Sequence, residues 1–202
     1  MYRLYDYLPS GNSYKPRLLL SLLGIEYERI DVDIMKKETR TPAFLVKNPN
    51  GRIPALELEN GEYLWESNAI LCFLASHGTP YMPTDSLAAA QVMQWMFFEQ
   101  YSHEPFIAVA RFILMHTDPS DPRRAELETK MDGGYAALDV MEQHLAGRDY
   151  FVGESMSIAD IALYAYTHVA DEGGFDLAAY PGVRAWLRRI ADRPGHILIT
   201  DA

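Results

Sequence analysis

The residues best suited to chemistry lie in one stretch, from Asn48 to Leu74. Pro54 cannot donate to a sheet and suits the start of a strand, so a cis bond after Ile53 would leave the Ile53 backbone N–H and C=O able to pair with a peptide. Ser67 opens a predicted helix, whose free N–H groups and hydroxyl suit a carboxylate, and Glu66 can hold an ammonium group. A carboxylate beside an ammonium group is the head of an amino acid, so the stretch predicts a small peptide as ligand.

Each of these features also has a common structural explanation. Only about 5–6% of X-Pro bonds in folded proteins are cis, and serine is a favoured helix N-cap without any ligand. The residues taken singly therefore leave a purely structural interpretation open.

The combination N-P-N-G-R-I-P-A-L followed by E-S-N-A-I-L resembles the glutathione-binding half of the cytosolic glutathione transferases, and the resemblance extends over nearly the whole chain. In that family a cis-proline after Val or Ile and a Glu/Gln-Ser pair hold glutathione. The resemblance implies glutathione as co-substrate, bound by the four residues Ile53, Pro54, Glu66 and Ser67. Arg52 and Lys37 are candidates for the glycyl carboxylate, although either also fits a solvated surface cation, and Lys37 fits it better.

A transferase must also activate the glutathione sulfur, because the thiolate is the nucleophile and a free thiol has a pKa near 8.5. The loop from Ser10 to Arg17 resembles that of the serine-type classes zeta, theta and phi, in which a serine hydroxyl donates to the thiolate. Alignment on Arg17 puts Ser10 at the catalytic position. Asn12 is its rival because an amide donates equally well, and Tyr7 is a third candidate. Ser10 and Asn12 also fit an ordinary turn.

Composition narrows the class of protein. The chain has 202 residues, 49% of them hydrophobic, which is ample for a buried core, and its net charge of −10 disfavours nucleic acid and anionic membranes as partners. The single cysteine, Cys72, excludes an internal disulfide and a Cys-x-x-Cys pair, and it is misplaced for a cysteine-type transferase. The first ten residues lack a signal core, so we expect a soluble, cytoplasmic protein.

The order of predicted elements indicates two domains. A strand, helix, strand unit followed by a hairpin at Asn60-Gly61 and a helix from Ser67 predicts a thioredoxin-like α/β domain over residues 1–77. The Pro- and Gly-containing stretch 78–85 is a linker. Strand signals then vanish, so residues 86–202 are predicted to be an all-α domain, the pattern that the resemblance also implies.

A long helix to about Met115, kinked at Pro105, is unusually aromatic and should face an apolar cleft between the domains. Phe98, Tyr101 and Arg111 are the candidates for binding an electrophile there, with helix or dimer packing as the alternative. A lone His-Glu pair beside the proline is too little for a metal site, so no metal is predicted.

We expect a homodimeric glutathione transferase that conjugates glutathione to a small apolar electrophile or uses it to reduce a peroxide. One alternative is a non-catalytic binding or docking protein with the same fold. Another is a zeta-like glutathione-dependent isomerase, although Gly11-Asn12 stands where that class has a serine-cysteine run.

Overall fold

The computed structural model describes residues 1–76 and 78–202, which form two compact units. The first contains Met1–Thr79 and Arg193–Ala202, and the second contains Pro80–Asp192. The predicted domain boundary at residue 77 falls on His77, which lies outside the described residues. The sequence assigned the last ten residues to the helical domain, whereas here they pack with the first unit.

The first unit is a four-stranded mixed sheet with helices, the α/β architecture predicted from the sequence. Its strand order is β2-β1-β3-β4, with β1 parallel to β2 and antiparallel to β3, and β3 antiparallel to β4. A short 3-10 helix, Glu38–Arg40, precedes α2. The elements are β1 Tyr2–Asp6, α1 Gly11–Leu23, β2 Tyr27–Asp31, α2 Pro42–Leu45, β3 Ala55–Glu57, β4 Tyr63–Trp65 and α3 Ser67–Ala75.

Strand periodicity gives this sheet two buried faces. Tyr5 and Ala55 join Val32 and Phe44 in one core cluster. Leu4 and Leu56 are fully buried, and as strand neighbours of Tyr5 and Ala55 they point to the opposite face. The first strand therefore sits inside the sheet with both faces covered.

Side chains of α1 fasten the chain's last residues to the first unit. The Tyr14 hydroxyl donates to the Ile197 carbonyl oxygen at 2.6 Å, and the Ser21 hydroxyl donates to that of Gly195 at 2.8 Å. Arg17 donates from its guanidinium to the carbonyl oxygens of Ile199 and Asp201. These contacts explain why the tail packs with the first unit, although the domain boundary predicted from the sequence placed it in the helical domain.

The second unit is entirely helical among its described residues, as the sequence predicts. A π-helical turn, Glu99–His103, joins its first two helices, where the sequence predicted a kink caused by Pro105 alone. Short 3-10 helices cover Pro122–Glu126 and Ala170–Gly173. The α-helices are α4 Ser86–Phe98, α5 Glu104–His116, α6 Leu127–Leu145, α7 Ile158–Thr167 and α8 Pro181–Ala191.

The sequence Ser157-Ile158-Ala159-Asp160 has the form of a capping box, and the box is present and buried at the start of α7. The Asp160 carboxylate accepts hydrogen bonds from the Ser157 backbone N–H at 2.8 Å and hydroxyl at 3.0 Å. It also accepts from the Phe151 N–H at 3.1 Å and the Trp186 indole N–H at 2.9 Å. Burial raises the pKa of Asp160, while these donors act in the opposite direction. The residue thus has the structural role that the sequence indicates.

Across residues 1–76 and 78–202, we find no helix with both the length and the apolar character that a membrane span requires.

Candidate glutathione site

The loop that precedes β3 ends in the Ile53-Pro54 pair, and the peptide bond between these residues is cis, as the resemblance implied. Ile53 is half-buried, and in the described chain no backbone hydrogen bond from another residue engages its N–H or C=O. An unpaired backbone donor and acceptor side by side can pair with a peptide as a further strand would.

Asn48 shapes this loop from within. Its side-chain amide donates to the Arg52 carbonyl oxygen at 2.7 Å and accepts from the Asn50 N–H at 2.9 Å, and Asn48 is 2% exposed. Gly51 has φ +62, and a Cβ there would lie 2.6 Å from the Arg40 guanidinium. The buried amide and the glycine thus shape the loop ahead of Ile53, while Arg52 itself is exposed.

The first turn of α3 carries the predicted Glu66-Ser67 pair. Ser67 is the first helical residue and is 5% exposed, whereas Glu66 occupies the N-cap position and makes no capping hydrogen bond with its side chain. Glu66 has φ +70, a conformation that costs a non-glycine residue about 1 kcal/mol and that clusters at ligand sites. Its exposed carboxylate lies 3.4 Å from the Asn50 side-chain nitrogen. An exposed carboxylate beside an uncapped helix start suits an ammonium group next to a carboxylate.

The two predicted parts of the site meet through Asn12. The Ser67 hydroxyl donates to Asn12 Oδ1 at 3.3 Å, although the two residues are 55 positions apart in the chain. Lys15, which the sequence analysis passed over, donates from Nζ to Asn12 Oδ1 at 2.9 Å and to Ser67 Oγ at 3.3 Å. Lys15 is fully buried, so its ammonium group is held by the protein rather than by solvent.

Ser10, the other candidate for the thiol, is the N-cap of α1. Its hydroxyl oxygen accepts from the Ser13 N–H at 3.4 Å, and α1 begins directly after it, at Gly11. Tyr7 follows β1. Burial raises the pKa of its phenol most, and the negative charges of Asp33 and Asp31 raise it further. Of these candidates, Asn12 is therefore the one that contacts Ser67.

Lys37, a candidate for the glycyl carboxylate, and the single cysteine have different surroundings. Lys37 is exposed, has φ +59 and precedes the 3-10 helix Glu38–Arg40. Cys72 is half-buried on α3, and burial raises the pKa of its thiol, which keeps it protonated at neutral pH. A protonated thiol is a poor nucleophile.

In the second unit, the predicted electrophile residues have different environments. Phe98 packs edge-on against Trp95 at 5.2 Å between ring centroids, and Tyr101 in the π turn is 85% exposed. Arg111 is 6% exposed, and its Nε donates to the Glu172 carboxylate at 2.6 Å. None of the three lines the groove of about 800 Å³ in this unit, whose lining residues include Gln94, Trp95, His144 and Phe151.

Family models and known structures match this chain over most of its length. The family model "Glutathione S-transferase, N-terminal domain" matches residues 1–76, and "Glutathione S-transferase, C-terminal domain" matches residues 99–194. The crystal structure of a glutathione S-transferase from Pseudomonas fluorescens is 56% identical in sequence and has a TM-score of 0.96, covering 99% of each chain. The maleylacetoacetate isomerase of Rhizobium meliloti is 32% identical over 93% of this chain and 90% of its own. The structure of Ure2p in complex with glutathione has a TM-score of 0.86 at 29% identity, covering 96% of this chain and 90% of that one.

Proposed function

Since the chain belongs to the glutathione S-transferase family, we propose that it binds glutathione, stabilises the thiolate of its cysteine and adds that sulfur to a small apolar electrophile. The observation that carries the proposal is the hydrogen bond between Ser67 and Asn12, which joins the start of α3 to the first turn of α1. The glutathione complex of Ure2p, a relative with the same fold, supports the choice of ligand.

Each part of glutathione has a matching group in the first unit. The α-carboxylate of its γ-glutamyl residue fits the Ser67 hydroxyl and the start of α3, and the neighbouring ammonium fits the Glu66 carboxylate. The cysteinyl backbone fits the N–H and C=O of Ile53, which Pro54 follows. Arg52 is proposed for the glycyl carboxylate, with Lys37 as a second cation.

Catalysis would then consist of activating the sulfur and holding it near the electrophile. Hydrogen-bond donors at the sulfur favour its charged form and lower the thiol pKa, so the proton leaves to solvent at neutral pH. The thiolate forms the new sulfur–carbon bond, and a halide leaves with the electrons of the bond that breaks, or an epoxide opens. With an organic peroxide, two glutathione molecules give the disulfide, an alcohol and water.

The electrophile-binding role of Phe98, Tyr101 and Arg111 remains part of the proposal, as does the homodimer. Aromatic side chains such as Phe98 and the exposed Tyr101 suit an apolar or aromatic substrate. Arg111 pairs with Glu172, so we expect Arg111→Ala to lower stability as well as to alter substrate choice.

The deciding experiment follows the ultraviolet absorbance of bound thiolate during a glutathione titration. We expect a thiolate signal in the wild type, its loss in Asn12→Ala, and its retention in Ser10→Gly, because glycine is an accepted N-cap but has no hydroxyl. Loss of signal in Ser10→Gly and not in Asn12→Ala would assign the donor to Ser10, as the sequence alignment does. A wild type that does not bind glutathione would refute the proposed function.

A second candidate is a glutathione-dependent isomerase, supported by the similarity to the maleylacetoacetate isomerase of Rhizobium meliloti. A third is a binding protein without turnover. Assays with an aromatic halide, an organic peroxide and a maleyl substrate separate the three. The transferase consumes glutathione, the isomerase converts the maleyl substrate without consuming glutathione, and the binding protein converts nothing.

A further inference from the structure

We propose that Lys15 is a positioning residue for thiol activation, acting by fixing the direction of the Asn12 side-chain amide. The inference rests on the proposed function and assigns a role to a residue that neither the sequence motifs nor the comparisons single out. It begins from a fully buried lysine, an unusual place for this side chain.

The chemistry of the contact sets the direction of the amide. A lysine ammonium group has three donors and no acceptor, so the Asn12 atom at 2.9 Å from Lys15 Nζ must be the oxygen. The Ser67 hydroxyl donates to the same oxygen at 3.3 Å. With Oδ1 held from two sides, the two hydrogens of Nδ2 point away from Lys15 and Ser67.

An amide fixed in this way presents a donor to an incoming sulfur. Without the lysine, the side chain of Asn12 could rotate by 180° about its last bond and offer the oxygen, which repels a thiolate. Asn12 lies in the first turn of α1, where the helix dipole also favours negative charge. Orientation of the Nδ2 hydrogens toward the sulfur is thus what Lys15 contributes.

The role of Lys15 grows when glutathione is bound. In the proposed complex the Ser67 hydroxyl turns to the γ-glutamyl carboxylate and releases Asn12 Oδ1. Lys15 then continues to hold this oxygen, and burial keeps water from competing for the ammonium group.

The test is a double-mutant cycle read out as the pKa of the bound glutathione thiol, from thiolate absorbance against pH. Lys15→Met should raise this pKa by about one unit, a tenfold lower thiolate-to-thiol ratio at neutral pH, and Asn12→Ala should raise it by at least as much. In the Asn12→Ala background, Lys15→Met should add no further shift, because the lysine acts through the amide. Lys36→Met, at an exposed lysine of the same unit, is the matched control and should leave the pKa unchanged.

Other outcomes overturn the inference. Additive shifts in the double mutant would mean that the ammonium charge acts on the sulfur directly. Weaker glutathione binding with an unchanged thiol pKa would make Lys15 a ligand of the carboxylate. If Lys15→Met does not fold, as judged by circular dichroism, Lys15→Gln enters the same cycle and must again show no added shift.

The two proposals fail in different ways. Absence of glutathione binding by the wild type refutes the proposed function. A normal wild-type thiolate that persists in Lys15→Met refutes the role of Lys15 alone.

Discussion

Two basic side chains on α1, Lys15 and Arg17, are fully buried, yet they serve different parts of the first unit. Lys15 reaches Asn12 and Ser67, whereas Arg17 pairs with the buried Asp6 at 3.1 Å and donates to the Leu8 carbonyl oxygen at 2.7 Å. Residues two apart on a helix do not share a face, which is why the two cations diverge. One holds the candidate site, and the other holds the chain that leads into it.

A single hydroxyl deletion tests the carboxylate subsite. Ser67→Ala should weaken glutathione binding about tenfold or more, because a hydrogen bond to a charged group contributes roughly 1.5–3 kcal/mol. Isothermal titration calorimetry gives the dissociation constant. The matched control is Ser76→Ala at the other end of α3, where the hydroxyl donates to the Phe73 carbonyl oxygen. Equal affinities for wild type and Ser67→Ala would exclude the serine from the site.

Residue types with strong local preferences could be identified from the sequence, and Lys15 could not. The Glu66-Ser67 pair is recognisable because the helix start and the adjacent carboxylate lie side by side in the chain. Lysine is usually solvated, so Lys15 offers no signal until the fold brings Asn12 and Ser67 to its ammonium group. The choice between Ser10 and Asn12 likewise depends on a contact across 55 positions.

At the scale of the element, the start of α7 depends on one carboxylate. Asp160→Ala should lower the free energy of unfolding by about 3 kcal/mol or more, because it removes four hydrogen bonds. Buried donors such as the Trp186 indole N–H then lose the carboxylate that accepts from them. Thermal denaturation measures the loss. Glutathione affinity, measured well below the transition, should not change.

The control for this prediction is Asp132→Ala on the exposed side of α6, which should alter stability by less than about 0.5 kcal/mol. Similar losses in the two variants would show that the buried capping box contributes nothing beyond an ordinary surface aspartate.

Elements with local punctuation were predicted well. The hairpin predicted at Asn60-Gly61 lies between β3 and β4, and Gly61 has the positive φ of +84 that such a turn glycine adopts. The π turn Glu99–His103 was missed because a proline nearby offered a sufficient explanation for a kink. A wide turn of this kind is set by tertiary contacts, among them the 2.9 Å hydrogen bond between His103 and Thr167.

At the scale of the whole molecule, the lowered pKa values of three histidines predict how stability depends on pH. Burial lowers the pKa of His116, His144 and His196 below the ordinary value of about 6.5. As pH falls below about 6.5 the unfolded chain takes up these protons first, so stability should be fully present above this pH and decline below it. Thermal melts at about pH 7.5 and about pH 5.5, one unit above and one unit below 6.5, measure the decline.

His144→Phe isolates one contribution to this decline. The variant keeps an aromatic ring against Trp95 and Phe151 but cannot be protonated, so its midpoint should fall less between the two pH values than that of the wild type. The comparison cancels the carboxyl groups that both proteins share. Parallel declines would show that His144 does not titrate differently in the folded state.

The attachment of the last residues to α1 has a consequence for synthesis on the ribosome. Arg17 and its partners Ile199 and Asp201 emerge from the exit tunnel far apart in time. At about 5–20 residues per second, the interval is on the order of ten seconds or more. During this interval the whole helical unit is translated, and the buried side of α1 lacks the terminal residues that will cover it. The first unit to begin folding is thus the last to be completed.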